Sequence, residues 1–278
     1  VLSIGVAVYG WRRRSTPGAV ALTVLSLASG WWSLGYLVEL VVADLSTKVF
    51  VANLEWAGVL AAPVAWFVFA SNYSGRDKYT STLSVAAASF LPLVAFVAVW
   101  TNPAHQLMWS TVTVEPAIGG RISVLQTEWG PLYWVMLGYG YLLWLAGSTI
   151  LVRTAFDMPT IYRLQAVTLV VGALMPILGN FATTLLEFEG AALDMTPASF
   201  TFAGLACAVA LSALVLYELP CSAAFRACSS SLEQSKRRSL SPSLHTCPIT
   251  LVTCRYITIR LCSRAFASIA FFQTRNFY

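Results

Sequence analysis

Seven strongly apolar stretches, at about 1–11, 18–43, 50–73, 83–100, 131–152, 164–186 and 197–217, fill most of the chain as far as Tyr217. A helix needs about 20 consecutive apolar residues to cross the hydrocarbon core of a bilayer. All but the first stretch reach or approach that length. The first is short and the sequence opens on Val1 rather than Met, so it reads as the end of a helix whose beginning is missing. The expected fold is all-α: a polytopic membrane bundle of seven transmembrane helices, the first truncated. A soluble core helix brings polar residues back every turn. Residues 20–43 show no such polar face, and 165–186 carry almost no charge until their end. Composition agrees, because 58% of residues are hydrophobic and 10% charged, against about 45–50% and 25% in soluble domains.

The net charge of +5 conceals a division. Residues 1–219 carry 9 basic and 11 acidic side chains, whereas 220–278 carry 8 basic side chains and a single acid, Glu233. The basic balance therefore belongs to the tail, and nucleic acid is not an expected partner. Cysteine follows the same division. Cys207 lies in the last apolar stretch, and Cys221, Cys228, Cys247, Cys254 and Cys262 lie in the tail without a C-x-x-C pair. Neither a metal nor a cofactor is expected.

Cytoplasmic loops are enriched in Lys and Arg. Arg12, Arg13, Arg14, Arg76, Lys78, Arg153 and Arg163 alternate along the chain so as to fall on one side, whereas Lys48 and Arg121 fall on the other. This places the protein in the plasma membrane, multi-pass, with its N-terminus outside and its C-terminus cytoplasmic. The longest loop, 101–129, is then external, with the length to form a hairpin or a short helix over the bundle. Loops of this size are often functional.

Ionisable groups within apolar segments usually face a bundle interior. Glu39 lies near the end of the second stretch and Glu55 near the start of the third, which makes them antiparallel neighbours at the outer end. They suit a cation or ligand pocket; the other reading is that both reach interfacial water. His105, the one histidine of residues 1–219, titrates in the physiological range unless perturbed and suits an external sensor; a structural bond to a neighbouring carbonyl is the other reading. Pro63, Pro92 and Pro176 fall inside helices three, four and six, where they free backbone carbonyls and kink or pack the bundle. Asn180, one turn beyond Pro176, is placed to bond such a carbonyl. The expected sensing cluster is His105, Trp109, Asn102, Glu39 and Glu55, with no catalytic residues. The seventh stretch has no lysine for a retinal Schiff base, and no Walker, H-E-x-x-H or G-x-S-x-G motif occurs.

Several segments together resemble a known family. Thr101-Asn102-Pro103-Ala104-His105-Gln106-Leu107-Met108-Trp109 is similar to an external "TNP-x-H-x-L-x-W" signature. Trp129-Gly130-Pro131-Leu132-Tyr133-Trp134 is similar to the entry of a fifth helix, and Tyr162-Arg163-Leu164-Gln165-Ala166 with Gly172, Pro176 and Asn180 to a sixth. Leu193-Asp194-Met195-Thr196-Pro197 resembles the "D-x-TP" start of a seventh. These resemble the seven-helix N-terminal sensor region of membrane histidine kinases, common in archaea and also bacterial. The resemblance spans nearly all of 1–219. It implies a sensory input module of a two-component system, with an undefined small-molecule or physical stimulus and the lipid bilayer and a second copy of the chain as partners. The alternative is a transporter-like protein that binds a small solute or lipid.

The resemblance stops near Leu219. The tail 220–278 holds ten serines, five cysteines and no histidine box, asparagine box or ATP lid. It is expected to be disordered, without phosphotransfer activity. Its composition is that of a shifted reading frame; the other reading is a genuine tail that binds anionic lipid through Lys236-Arg237-Arg238.

Overall fold

The computed structural model describes residues 1–117, 122–157, 163–188 and 194–212. The tail 220–278, with the readings of its disorder and reading frame, lies outside the described residues. The long helices are α1 (Leu2–Arg12), α2 (Ala19–Val41), α3 (Leu45–Tyr73) and α4 (Thr82–Trp100). A one-turn helix α5 (Asn102–His105) leads into strands β1 (Trp109–Ala117) and β2 (Ile122–Trp129), and then come α6 (Pro131–Asp157) and α7 (Arg163–Phe188). A last helix, α8, covers Thr196–Ser212.

Each of the expected apolar stretches is helical where it is described. Among the described residues, four helices are long and apolar enough to cross a membrane: α2, α3, α4 and α6. The apolar parts of α7 and α8, Val167–Thr183 and Thr196–Ser212, are shorter, and α1 has 11 residues. α4 is the most apolar of the four long helices, yet only 22% of its apolar window is buried within the protein. Leu83, Phe90, Leu93 and Val97 point outward from it. In water such a face would be a large exposed apolar patch; in hydrocarbon it is the expected outer surface. The outward leucines of α2 and α6, Leu27, Leu34, Leu37, Leu142 and Leu145, continue it.

Helix boundaries follow local chemistry. Asp44 caps α3, its carboxylate accepting from the Thr47 N–H at 2.8 Å, and Ser81 caps α4 by accepting from the Ser84 N–H at 3.2 Å. Such caps satisfy the orphan donors of a first turn. Proline opens α6 at Pro131, where a missing N–H costs nothing.

α3 is the central element and packs against α2, α4 and α6. Leu60, Ala95 and Met136 form the core where α3, α4 and α6 meet. At one end, which we call the basic end, Thr154 of α6 donates to the Ser74 hydroxyl at 2.8 Å, and Gly18, at φ 86°, sits against Phe69. The turns bearing Arg12–Arg14 and Lys78 belong to this end. The other end carries the hairpin, which among the described residues is the one departure from an all-helical fold. β1 and β2 pair antiparallel with Trp109 opposite Trp129. Their β-branched residues, Thr111, Val112, Thr113 and Val114 on one strand and Ile122 and Val124 on the other, favour this pairing over a helix.

Candidate functional site: a chamber of carboxylates and aromatic rings

A cavity of about 680 Å³ lies between α2, α3, α4, α6, α7, α8 and the hairpin. Trp56, Trp129 and Tyr133 wall it near the hairpin. Trp129 and Tyr133 stack at 4.0 Å, and Trp56 meets each edge-on at 6.2 Å. Deeper in the bundle the wall is Trp144, edge to face with Phe200 at 5.0 Å. Trp144 is backed by the fully buried Trp66, stacked on it at 4.0 Å. A side chain at Gly147 would collide with Trp66, so that glycine is what allows the stack.

The charged groups gather toward the hairpin. Glu39 and Glu55 both line the cavity and are each 6% exposed, so neither opens freely to bulk water. Gly35 makes room for Glu55, because a Cβ there would run into the glutamate side chain. Lys48 is fully buried at the junction of α2, α3 and β2. Its ammonium donates to the main-chain oxygen of Glu39 and, at 2.7 Å, to that of Ser123. A cation suits this position, since the last carbonyls of α2 point at it. The Leu125 N–H in turn donates to the Glu39 carboxylate. Together these bonds fasten β2 to the helices.

Asp194 comes in from the start of α8. Its Oδ1 accepts from the Thr196 N–H at 2.8 Å and lies 3.2 Å from the Thr183 hydroxyl, while its own N–H donates to the Tyr36 oxygen at 2.7 Å. Glu39, Glu55 and Asp194 lie within electrostatic reach of one another, with Lys48 as the cation among them. Glu55 differs from the other two acids. Its Oε1 is buried and finds no hydrogen-bond partner, and neither does Oδ1 of Asn53, which also lines the chamber. A buried polar atom left without a partner is costly, so these two acceptors among the lining residues of the chamber call for a donor.

Of the residues the sequence singles out, Glu39, Glu55, Trp109, Pro63, Pro92, Pro176 and Asn180 line the chamber. Asn102 and His105 sit in the turn that leads to the hairpin. Asn102 is buried; its Oδ1 accepts from the N–H groups of Met108 and Trp109 at 2.9 and 3.3 Å, and its Nδ2 donates to the Trp109 carbonyl at 2.9 Å. Nδ1 of His105 accepts from the Leu107 N–H at 3.0 Å, and its Nε2 lies 3.0 Å from the Thr101 hydroxyl. Both side chains are occupied in shaping the turn, and Gln106 between them adopts a left-handed φ of 53°.

The prolines have identifiable effects. Pro92 cannot donate to the Ala88 carbonyl, and the Tyr139 hydroxyl does so instead, at 2.7 Å. Pro176 leaves the Gly172 carbonyl without its helical donor, and on the next residue the Trp144 indole N–H donates to the Ala173 carbonyl at 3.1 Å. Asn180, one turn beyond Pro176, lies on the chamber wall.

Lys48, Asn53, Tyr36 and Asp194 were not singled out as site residues by the sequence. A signal existed for Lys48, which is seven residues before Glu55 and so two turns away on the same face of α3. Asp194 has no such signal, because its nearness to Tyr36 spans 158 positions of chain.

The fold is that of a helical membrane bundle built around an internal chamber. Residues 1–220 match the family model of the N-terminal 7TM region of histidine kinase, and the chain belongs to that family. The matched region is an N-terminal sensor region and not a catalytic one. No curated protein and no solved structure matches the chain.

Proposed function

We propose that the chain is the membrane-embedded sensory input module of a two-component histidine kinase and that the chamber receives its stimulus. One observation carries this reading: a single cavity touches Pro63 of α3, Pro92 of α4 and Pro176 of α7 together with Glu39 and Glu55. A group entering the chamber presses on three helices at their proline-weakened turns, where the backbone ladder is already open. It also touches Thr196 and Phe200 of α8, the last described helix. A signal needs an element that differs between occupied and empty states, and these helices supply candidates.

In this reading the basic turns face the cytoplasm, in keeping with the distribution of Lys and Arg. The hairpin end and the N-terminus lie outside the plasma membrane, and the chain beyond α8 is cytoplasmic. Glu39, Glu55 and Trp109 belong to the sensing surface, while Asn102 and His105 hold the hairpin over it. The module works as a homodimer and carries out no phosphotransfer itself.

The test is a chimera in which residues 1–219 are joined to the cytoplasmic half of a histidine kinase and reconstituted in vesicles. Autophosphorylation should differ between the native chimera and the chimeras carrying Glu55→Gln and Gly35→Ala. Equal rates in all three, with equal folding and insertion, would contradict the reading.

A further inference from the structure

We infer that the chamber binds a small organic amine in its protonated, N–H-bearing form. This rests on the reading of the chamber as the stimulus site and names the chemistry of what enters it. The first observation is the pair of unpartnered acceptors, Glu55 Oε1 and Asn53 Oδ1. Acceptors are satisfied by donors, so the matching group carries N–H or O–H. The second is charge. Glu39, Glu55 and Asp194 face one cation, Lys48, and its ammonium is already directed at the carbonyls of Glu39 and Ser123. Glu39 is held by Leu125 and Asp194 by Thr196, which leaves Glu55 as the carboxylate whose positive partner is to come from elsewhere.

The third observation is the wall. Trp56, Trp129 and Tyr133 present ring faces and edges to the same space, and aromatic faces attract ammonium groups while accepting apolar carbon. A monoatomic cation fits poorly. Among the described residues no three acidic, His or Cys side chains converge to hold a metal ion, and a volume of about 680 Å³ is within the usual range for small organic ligands. A quaternary ammonium has the charge but no N–H for the two acceptors. A protonated primary or secondary amine on an apolar body meets all three conditions.

The experiment uses the full chain in lipid nanodiscs and three probes of one shape: 2-phenylethylamine, its trimethylammonium analogue and 2-phenylethanol. Binding is followed by saturation-transfer NMR and calorimetry. The amine should bind saturably and tighter than either analogue. Glu55→Gln should weaken the amine roughly tenfold or more, as loss of a charge-assisted hydrogen bond requires, and leave the alcohol unchanged. Asn53→Leu, at a half-buried position, is the second variant and should also weaken the amine selectively. The proposal is overturned if the three probes bind alike, if the amine shows no saturable binding, if neither variant discriminates between amine and alcohol, or if only sodium or potassium ions bind. The kinase response to Glu55→Gln in the chimera is measured without any probe, so the sensory reading can survive failure of the amine proposal.

Discussion

A buried carboxylate with no donor on one oxygen is held in place by its surroundings, and Glu55 shows how. Gly35 yields the space, and the fastening of α2, α3 and β2 around Lys48 closes it. The nearness of Glu39 and Glu55 was legible from sequence because antiparallel neighbours bring residues at facing helix ends together, although α3 begins at Leu45 and so places Glu55 nearly three turns in rather than one. Lys48 was not legible in the same way. It reads as a loop residue until the capped start of α3 carries it inward. Outside the membrane-spanning helices, Asp44 offers a pH test. The Ser46 hydroxyl and the Thr47 N–H and hydroxyl donate to its exposed carboxylate and push its pKa down to about 2, below the unfolded value of about 3.9. A depressed pKa contributes stability that is complete above the unfolded value and is lost as pH falls through the folded one. Asp44→Ala should therefore lower the Tm of the detergent-solubilised protein at pH 6. The gap from the native chain should narrow as pH falls from about 4 toward 2; a constant gap would show that ionisation of the cap is not involved.

Among the elements, α4 with its internal proline shows most clearly how an opened backbone is repaired. The three prolines could be read from sequence as positions that free a backbone carbonyl, because proline always removes a donor. Which side chain answers each freed carbonyl could not, since Tyr139 is 51 positions from Ala88 and no local pattern links them. A double-mutant cycle tests the repair. Tyr139→Phe should destabilise the native chain by about 0.6–1.7 kcal/mol, the range of single hydrogen bonds within membrane bundles. In the Pro92→Ala background the restored N–H already serves Ala88, and the same substitution should cost clearly less. Equal costs in the two backgrounds would mean that the tyrosine does not act through the kink. The hairpin was legible only as one of two options for a long loop. Asn102 and His105 suggested a sensor by residue type alone, whereas their bonds to Met108, Trp109 and Leu107 engage them in the turn itself.

At the scale of the whole molecule, the described residues present an apolar exterior around an interior that is also largely apolar and encloses the chamber's carboxylates and rings, an arrangement suited to a bilayer. Hydropathy displayed the exterior directly. The chamber stayed hidden because its lining is drawn from six helices and a hairpin that lie far apart in the sequence. The chamber is proposed as the input of the module, reached from the side of the hairpin. A cysteine at Asn53 tests it in the chimera of residues 1–219 with a kinase half. Joining at 219 leaves Cys207 as the remaining native thiol of that segment, and it is fully buried. A membrane-impermeant thiol reagent added to intact cells should label Asn53→Cys and change autophosphorylation, while the parent chimera stays unlabelled and unchanged. Complete labelling with unaltered autophosphorylation, or labelling only in inverted vesicles, would contradict the claim.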